Sequence, residues 1–395
     1  NSASYIGGAI LLNPESDEKS TISDSTFEGN YGGFAGGVIF GNEAKLVISN
    51  TDFIDNSADV FGGAIAHGGD LEVIGSTFTG NTASADNAGI QAKREECEVE
   101  DGLDQAFCIV FFEEFDPFVD IEMDSLYGFS SGGAIRVFSP AEALSSMSES
   151  DEDQNLLNQL PQQTVSILNT NFSKNSAQGD GGAIYFLGLL QILGSRFEEN
   201  WSLLALFFSD SESNPISEVR GSGGAIYGEK IEITNSTFDA NFAGINGGAI
   251  FTESSLETLD TEFENNSACG DNFCDGYGGD GGGGAIAAAG SVSVADSLFK
   301  NNSTVTNGGA INLLDGEITV NDSTFDGNEA SDKGGAIYSL GDLNVSGSTF
   351  GSAIPVPNPN YNPERPRRNP DYIPGNDVTD TMLNPICEGQ EYSGS

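Results

Sequence analysis

The stretch STFDGNEASDKGGAIYSL, residues 323–340, decides the fold, because close copies of it return along most of the chain. It combines Phe325, an asparagine three residues later and a Gly-Gly-Ala-Ile tetrad. A Gly-Gly-(Ala/Val)-Ile tetrad occurs ten times, with its isoleucine at Ile10, Ile39, Ile65, Ile135, Ile184, Ile226, Ile250, Ile286, Ile311 and Ile337. Each tetrad is followed by one phenylalanine anchor, at Phe27, Phe53, Phe78, Phe172, Phe197, Phe238, Phe263, Phe299, Phe325 and Phe350. Where nothing is inserted, successive anchors are 25 or 26 residues apart, a period typical of stacked structural repeats.

Aligning the ten units on the phenylalanine gives each position a local structure. Apolar residues lie seven and five positions upstream with a residue that is usually polar between them, as in Leu343, Asn344 and Val345, which predicts a half-buried strand. Asp, Asn or Gly three positions upstream predicts a turn with positive φ, and Ser or Thr two upstream can bond the backbone at a bend. Three residues after the phenylalanine, nine of ten units have Asn, with Ala353 the exception. Stacked asparagines predict a hydrogen-bonded ladder along the repeats.

Three short strands per unit cannot bury an apolar face alone, whereas stacked units form a continuous core. The sequence therefore predicts an all-β fold, a right-handed parallel β-helix of about ten coils over residues 1–352, followed by a proline-rich arm over 353–395. At an inter-strand spacing of about 4.8 Å, such a rod is roughly 48 Å long. The glycine pair fits a tight corner at which the backbone of a neighbouring coil approaches closely.

The pairing of GGAI with FxxN resembles the repeats of the chlamydial polymorphic outer membrane proteins. Similar repeats occur in other secreted surface β-helices of the pectate-lyase-like superfamily. The resemblance covers residues 7–353. It implies a right-handed β-helix, and it implies display at a surface, where the chlamydial proteins act as adhesins.

The charge of the chain indicates its environment. Fourteen basic and 60 acidic residues give a formal net charge of −46 at pH 7, so the surface repels nucleic acid and anionic headgroups and attracts cations. Salt-rich water that contains calcium would screen this charge. We therefore expect an extracellular protein, secreted or on the cell surface. The longest apolar run, residues 106–112, is far shorter than a bilayer span, and we expect no direct membrane insertion.

The five cysteines lie outside the repeated positions. Cys97 and Cys108 flank one arm of an insertion, and Cys269 and Cys274 bracket another short segment, which predicts two local disulfides in an oxidising compartment. Metal binding by these pairs is disfavoured, because neither has zinc-finger spacing. Cys387 is left over, and it is either free, paired in a rearranged set or linked to another chain.

Insertions interrupt the rod near residues 91–130, 139–163, 203–221 and 269–281. The last of them holds acids among glycines and is the candidate calcium site, with Asp271, Asp275 and Asp280 as ligands. Its DNFCDG run lacks the third-position Asp or Asn and the twelfth-position Glu of an EF-hand loop. Calcium is the one cofactor that the sequence suggests.

The arm after Phe350 is dense in proline and cannot form a regular ladder, so we expect extended, polyproline-like chain. Arg365, Arg367 and Arg368 make it basic, and we predict that these arginines, together with Cys387, bind a partner. An arm of this charge can lie along an acidic rod, either its own or a neighbour's. The alternative is a flexible linker.

Asn-x-Ser/Thr sequons predict glycosylation at exposed positions. The candidates are Asn344, Asn235, Asn321, Asn171, Asn265 and Asn301. Asn344 is the best of them, because it alternates outward between two apolar neighbours. Asn200 and Asn302 fall in the predicted ladder and should stay unmodified.

Three functions compete. The favoured one is a non-catalytic extracellular building block of a surface fibre, flagellar hair or cell-wall layer that assembles with itself or other surface proteins through its coil ends and its arm. The second is a cell-surface adhesin. The third is a polysaccharide lyase or hydrolase, which needs clustered carboxylates or a base; His67 has no arginine nearby in the sequence, and Asn50, Thr51 and Asp52 fall on the common turn positions.

Overall fold

The computed structural model describes residues 1–12, 19–41, 45–84, 130–138, 163–209, 215–268 and 281–351, with the backbone alone for 204–209 and 215–220. Over these ranges it contains strands and no helix. All strand pairings are parallel apart from one short hairpin. The chain is a right-handed parallel β-helix of ten coils, as the repeat predicts.

Three sheets run along the rod. The long sheet comprises β2 (Ile10–Leu12), β3 (Ser20–Ser23), β6 (Ile39–Gly41), β7 (Leu46–Ser49), β10 (Ile65–His67), β11 (Leu71–Ile74), β14 (Ile135–Val137), β15 (Thr164–Leu168), β18 (Ile184–Leu193), β23 (Ile226–Thr234), β26 (Ile250–Leu259), β29 (Ile286–Ala288), β30 (Ser291–Ala295), β33 (Ile311–Leu313), β34 (Glu317–Asn321), β37 (Ile337–Ser339) and β38 (Asp342–Ser346). The phenylalanine sheet comprises β4 (Thr26–Glu28), β8 (Asp52–Ile54), β12 (Thr77–Thr79), β16 (Asn171–Ser173), β19 (Arg196–Glu198), β24 (Thr237–Asp239), β27 (Glu262–Glu264), β31 (Leu298–Lys300), β35 (Thr324–Asp326) and β39 (Thr349–Phe350). The short-strand sheet comprises β1 (Ser2–Ala3), β5 (Tyr31–Gly32), β9 (Ser57–Ala58), β13 (Thr82–Ala83), β17 (Ser176–Ala177), β20 (Trp201–Ser202), β25 (Phe242–Ala243), β28 (Ser267–Ala268), β32 (Ser303–Thr304) and β36 (Glu329–Ala330).

Pairing between coils follows the repeat residue by residue. Ile65 pairs with Ile39 in the coil before it and with Ile135 in the coil after it. Phe238 pairs in the same way with Phe197 and Phe263. This register keeps like residues stacked, so each inward position becomes a column that runs along the rod.

The core consists of those inward columns. The tetrad isoleucines from Ile39 to Ile311 are fully buried, and so are the anchors from Phe53 to Phe299. Neighbouring rings are stacked face to face, with centroids 4.7 Å apart between Phe197 and Phe238. The phenylalanine column therefore points into the core. Burial of each such side chain contributes about 1.5 to 3 kcal/mol.

The two glycines of each tetrad serve different purposes, as Gly36 and Gly37 show. Gly36 has a φ of 64°, a conformation that L side chains rarely adopt. A Cβ added at Gly37 would overlap the carbonyl oxygen of Gly63 in the next coil. The predicted tight corner with close approach of a neighbouring coil is confirmed.

Three coils depart from the predicted pattern of three short strands. In β18, β23 and β26 the tetrad strand and the following strand fuse into one strand of nine or ten residues. The strand continues through the position of the corner, and the pairing register shifts there, between Phe186 and Leu189 and between Gly228 and Lys230. The repeat alignment missed this, because the spacing from the tetrad isoleucine to the anchor is 12 or 13 residues in the fused coils and 13 or 14 in most of the cornered ones.

One insertion is partly visible. Within the predicted insertion at 203–221, β21 (Leu204–Ser209) and β22 (Pro215–Arg220) form an antiparallel hairpin. Its two strands pair with each other and form a sheet separate from the other three. Nearly all of the other three insertions and the arm from residue 352 onward lie outside the described residues.

Candidate functional site

The asparagine column forms the predicted ladder in the interior. Oδ1 of Asn241 accepts hydrogen bonds from the backbone N–H (3.1 Å) and from Nδ2 (3.0 Å) of Asn200. Nδ2 of Asn241 donates to Oδ1 of Asn266 (2.9 Å) and to the carbonyl oxygen of Phe197 (3.0 Å). The same bonds repeat from Asn30 to Asn328, and Asn1 joins at the start through Asn30. These amides are saturated, so their role is structural.

A second ladder follows the Ser/Thr column. The hydroxyl of Ser297 donates to the carbonyl oxygen of Ala295, which is the predicted local bond at the bend. The same hydroxyl accepts the backbone N–H of Thr261 in the neighbouring coil (3.2 Å). The sequence predicted the first bond and not the second, because the bond between coils depends on register.

The turn column places three aspartates in successive coils. Asp260, Asp296 and Asp322 have φ of 51°, 48° and 48° and stack in successive coils, confirming the predicted positive-φ turn. With Asn235 and Glu262 they line a shallow groove of about 430 Å³ on the outside of the rod. Since these carboxylates repeat at the spacing of the coils, the groove carries a line of negative charge that favours cationic partners.

Few cations balance this surface. Arg196 Nε lies 3.1 Å from Glu198 Oε2, and Lys300 Nζ lies 3.2 Å from Glu264 Oε1. The hydrogen bond from Arg196 lowers the pKa of Glu198. These pairs are solvent-exposed, so each adds little to stability.

An aromatic column on the outside of the long sheet was not predicted. The rings of Tyr185, Tyr227 and Phe251 stack at 4.7 and 5.0 Å, and the guanidinium of Arg136 lies 3.6 Å from the centre of the Tyr185 ring. Burial raises the pKa of Tyr227, as does its hydrogen bond to Glu253 (2.6 Å). The signal was present in the sequence, because the residue after the tetrad isoleucine is aromatic in three successive units.

The histidine and the turn residues of the lyase or hydrolase alternative take these places in the described structure. His67 is fully buried, and its imidazole lies against Gly41. Thr51 is buried at its turn, where its hydroxyl donates to the carbonyl oxygen of Ser49, while Asp52 is exposed on β8. Among the described parts of the chain, no group of three or more His, Cys, Asp or Glu side chains is placed to hold a metal ion.

Several predicted site residues lie outside the described residues. They are the calcium candidates Asp271, Asp275 and Asp280, the cysteines Cys97, Cys108, Cys269, Cys274 and Cys387, and the arginines Arg365, Arg367 and Arg368. Their roles remain predictions.

The six candidate sequon asparagines all fall within the described ranges. Asn171, Asn235, Asn265, Asn301 and Asn344 are exposed, and Asn321 is half-buried. Nδ2 of Asn344 donates to Oε1 of Glu317 (2.6 Å). By contrast, Asn200 and Asn302 are fully buried in the ladder, where the sequence placed them.

Within the described ranges there is no helix with the length and apolar character needed to span a membrane.

The match to known proteins lies in the repeat. Four segments match the Chlamydia polymorphic membrane protein repeat. They are residues 169–187, 260–289, 296–313 and 322–340, which together make up less than half of the chain. Each contains one FxxN motif and one GGAI tetrad, so the resemblance drawn from those motifs is confirmed. No curated protein and no solved structure matches the chain.

Proposed function

We propose that this chain is a non-catalytic building block at the cell surface, a rod that joins copies of itself or other surface proteins into a fibre, hair or wall layer. The observation that carries the proposal is the contrast between the columns. Inward residues repeat in every coil, whereas outward residues change from coil to coil. A rod whose repeated residues all serve to stack its coils is suited to a mechanical role.

The match to a membrane-protein repeat indicates an outer-membrane or cell-surface location. The acidic exterior supports this setting, since external salt screens the repulsion between neighbouring rods. Because each chain has a net charge of −46, a side-by-side contact between two rods needs positive groups to offset their repulsion. The chain supplies its own in Arg365, Arg367 and Arg368.

The contact that we propose joins this basic arm to the acidic groove of a neighbouring rod. The groove offers Asp260, Asp296 and Asp322 in line, and the arm carries Arg365, Arg367 and Arg368 within four residues of sequence. Arginine forms strong paired hydrogen bonds with carboxylates. Assembly through this contact should weaken as salt rises.

The test is charge reversal in the full chain. Arg365→Glu, Arg367→Glu and Arg368→Glu together should abolish polymers seen by electron microscopy and sedimentation at low salt. The matched control reverses Lys174, Lys230 and Lys300 on the rod, which changes the net charge equally and should leave polymers intact. Full-length polymers from the arm variant would overturn the arm contact. Cleavage of an acidic polysaccharide would overturn the non-catalytic assignment in favour of a lyase or hydrolase.

A cell-surface adhesin is the second candidate, favoured by the half-buried aromatic column on the outside of the long sheet. Tyr227 and Phe251 offer an apolar surface beside the acids Glu229 and Glu253. Binding of the dispersed rod to host-cell surfaces that is lost in Tyr227→Ala would support this function over the structural one. The structural function expects such binding to be absent.

A further inference from the structure

Coils five to seven, whose anchors are Phe197, Phe238 and Phe263, carry a wider uninterrupted surface than the rest of the rod. There β18, β23 and β26 continue through the position of the corner. In the other coils that the structure describes, the two strands of the long sheet stay separate. A strand of nine or ten residues spans about 30 Å, and three stacked coils cover about 14 Å of the rod. We call the outward side of these three strands the platform.

Apolar side chains lie at both ends of the platform. At one end the rings of Tyr227 and Phe251 are paired in register and half-buried. At the other end Leu193 and Leu259 are 45 % and 44 % exposed. In coils two to nine of the described chain, the one other large apolar side chain with comparable exposure is that of Trp201, which lies on the short-strand sheet. Exposed apolar groups gathered in three successive coils indicate a contact surface for another molecule.

Acidic side chains occupy the middle of the platform. Glu232 and Glu257 are paired in register on β23 and β26, and both are exposed. Glu253 is exposed near the aromatic end, where it accepts a hydrogen bond from the tyrosine hydroxyl (2.6 Å). Lys230 is the one basic residue in the three strands, and its Nζ lies 3.7 Å from Oε1 of Glu229. Four glutamates and one lysine give the platform a net charge of −3, which favours a cationic partner.

The arrangement of the rings shows which cationic partner fits. Tyr227 stacks on Tyr185 at 4.7 Å and on Phe251 at 5.0 Å, so both faces of its ring are covered. Cations and planar ligands that bind aromatic rings contact the ring face. Ring edges and leucine methyl groups instead suit the apolar side chains of a protein. The platform therefore fits a peptide chain better than a charged sugar.

We propose that the platform binds an extended basic segment of another protein. The segment lies along β23 and β26, with apolar side chains over the two apolar ends and lysine or arginine side chains over the glutamates. Phe251 and Leu259 are eight positions apart, which corresponds to about 27 Å of extended chain. Side chains on one face of an extended segment recur about every 6.6 Å, the interval of the outward side chains beneath it. A segment of about nine residues thus matches the platform.

This inference goes beyond the proposed function, because it adds a partner that attaches to the side of the rod. It uses neither the basic arm nor the carboxylates of the acidic groove. A second copy of the rod body is disfavoured as the partner, since its own negative charge repels the glutamates of the platform.

The test measures binding of a synthetic peptide to the full chain by fluorescence anisotropy. The peptide has about nine residues, with leucine at each end, lysines at alternate positions between them and serine elsewhere. Glu232→Gln with Glu257→Gln should weaken binding about tenfold at low salt, and added salt should reduce this difference. The matched control, Glu72→Gln with Glu317→Gln, removes the same charge from the long sheet outside the platform. It should change the affinity less than about twofold.

The apolar contacts have a separate variant. Leu193→Ser with Leu259→Ser should weaken peptide binding about tenfold at low and at high salt, because apolar burial is not screened. Both platform variants should unfold at the wild-type urea concentration, since exposed side chains contribute little to stability. This measurement separates a lost contact from a lost fold.

Four results would overturn the proposal. The first is a peptide affinity that the glutamate variant leaves unchanged, and the second is an equal loss in the matched control. The third is displacement of the peptide by cationic glucosamine oligomers at lower concentration than by unlabelled peptide, which would indicate a sugar site. The fourth is peptide binding that appears only after charge reversal of Arg365, Arg367 and Arg368, which would show that the chain's own arm occupies the platform.

The outcome is distinguishable from that of the proposed function. If charge reversal of the arm leaves polymers intact while the peptide binds as described, the proposed function fails and the platform stands. If the arm variant loses its polymers and the peptide does not bind the wild-type chain, the platform fails and the proposed function stands.

Discussion

The inside and the outside of a coil follow different rules. The inward position at the centre of β24 and its equivalents holds phenylalanine in all ten units, whereas the outward position just before it holds Thr, Asp, Asn, Arg, Glu or Leu. Inside, each side chain stacks on its own kind at a fixed spacing. Outside, neighbouring side chains have water as a partner and are free to differ.

This difference shows where specificity for stacking resides. A flat ring or an amide matches an identical neighbour one coil away, so in-register pairing selects the same residue repeatedly. An outward residue has no such requirement. We therefore expect substitutions inside to act on the fold and substitutions outside to act on contacts with other molecules.

The largest effect should come from Phe238→Ala. This change removes stacking with Phe197 (4.7 Å) and Phe263 (5.0 Å) and leaves a cavity in the core, which costs about 3 to 5 kcal/mol. Urea unfolding followed by circular dichroism measures the loss. The control is Thr237→Ala on the outside of β24, which should change stability by less than about 0.5 kcal/mol. Equal effects of the two variants would break the comparison.

Asn241→Ala should be the next largest. The substitution leaves the N–H and Nδ2 of Asn200 without their acceptor and the carbonyl oxygen of Phe197 without its donor, and stranded buried groups cost about 1 to 3 kcal/mol. Asn171→Ala, on the exposed outside of β16, is the matched control and should be nearly neutral. A ladder variant as stable as the wild type would show that the amides are not coupled to folding.

A smaller effect is expected at Glu329, at the edge of β36. Burial raises the pKa of Glu329. The folded state therefore binds the proton more tightly than the unfolded state, and stability falls as pH rises from the ordinary glutamate range through the raised pKa. Glu329→Gln should be more stable than the wild type at pH 7 by less than about 0.5 kcal/mol, because half of the side chain meets water. The difference should vanish at acidic pH; a difference that grew there would contradict the sign.

Glycosylation tests the comparison between inside and outside without changing stability, because some sequons are on the outside of the coils and others are in the core. If the protein comes from a eukaryotic secretory pathway, mass spectrometry of its peptides should find hexose at Asn344 and none at Asn200 or Asn302. The exposed amide is accessible, whereas the other two are enclosed in the ladder. A glycan on Asn200 would be incompatible with the ladder. In protein from such a source, the absence of any glycan would reject the prediction.

The fold was predictable because the residues that determine it recur as the same motif in every unit. The anchor column holds phenylalanine and the tetrad column isoleucine in all ten units, so Phe238 or Ile226 is identified ten times over. The fused strands β18, β23 and β26 were not predictable, since a corner and a straight passage use similar spacing. A second positive-φ column was also missed, because Lys174, Glu199 and Ala240 adopt φ of 56°, 52° and 55° without being typical turn residues. Register between coils imposes that conformation on them.

The candidate sites were less predictable for the opposite reason. The acidic groove gathers Asp260, Asp296 and Asp322 from turns that the alignment had assigned to backbone geometry alone. Their alignment along one groove becomes evident only when the coils are stacked. The outward column of Tyr185, Tyr227 and Phe251 spans three units among ten and gives no constant pattern.

The parallel register has a mechanical consequence. Backbone bonds between coils, such as that from Ile226 to Ala249 (3.0 Å), link one coil to the next along the rod. Tension applied along the rod therefore opens these bonds one coil at a time instead of shearing many together. Each uninserted coil holds 25 or 26 residues, which release about 80 Å of extended chain. A rod held at one end and pulled at the other should thus lengthen in steps, one for each coil, with longer steps where a coil carries an insertion, so a sudden load is dissipated gradually.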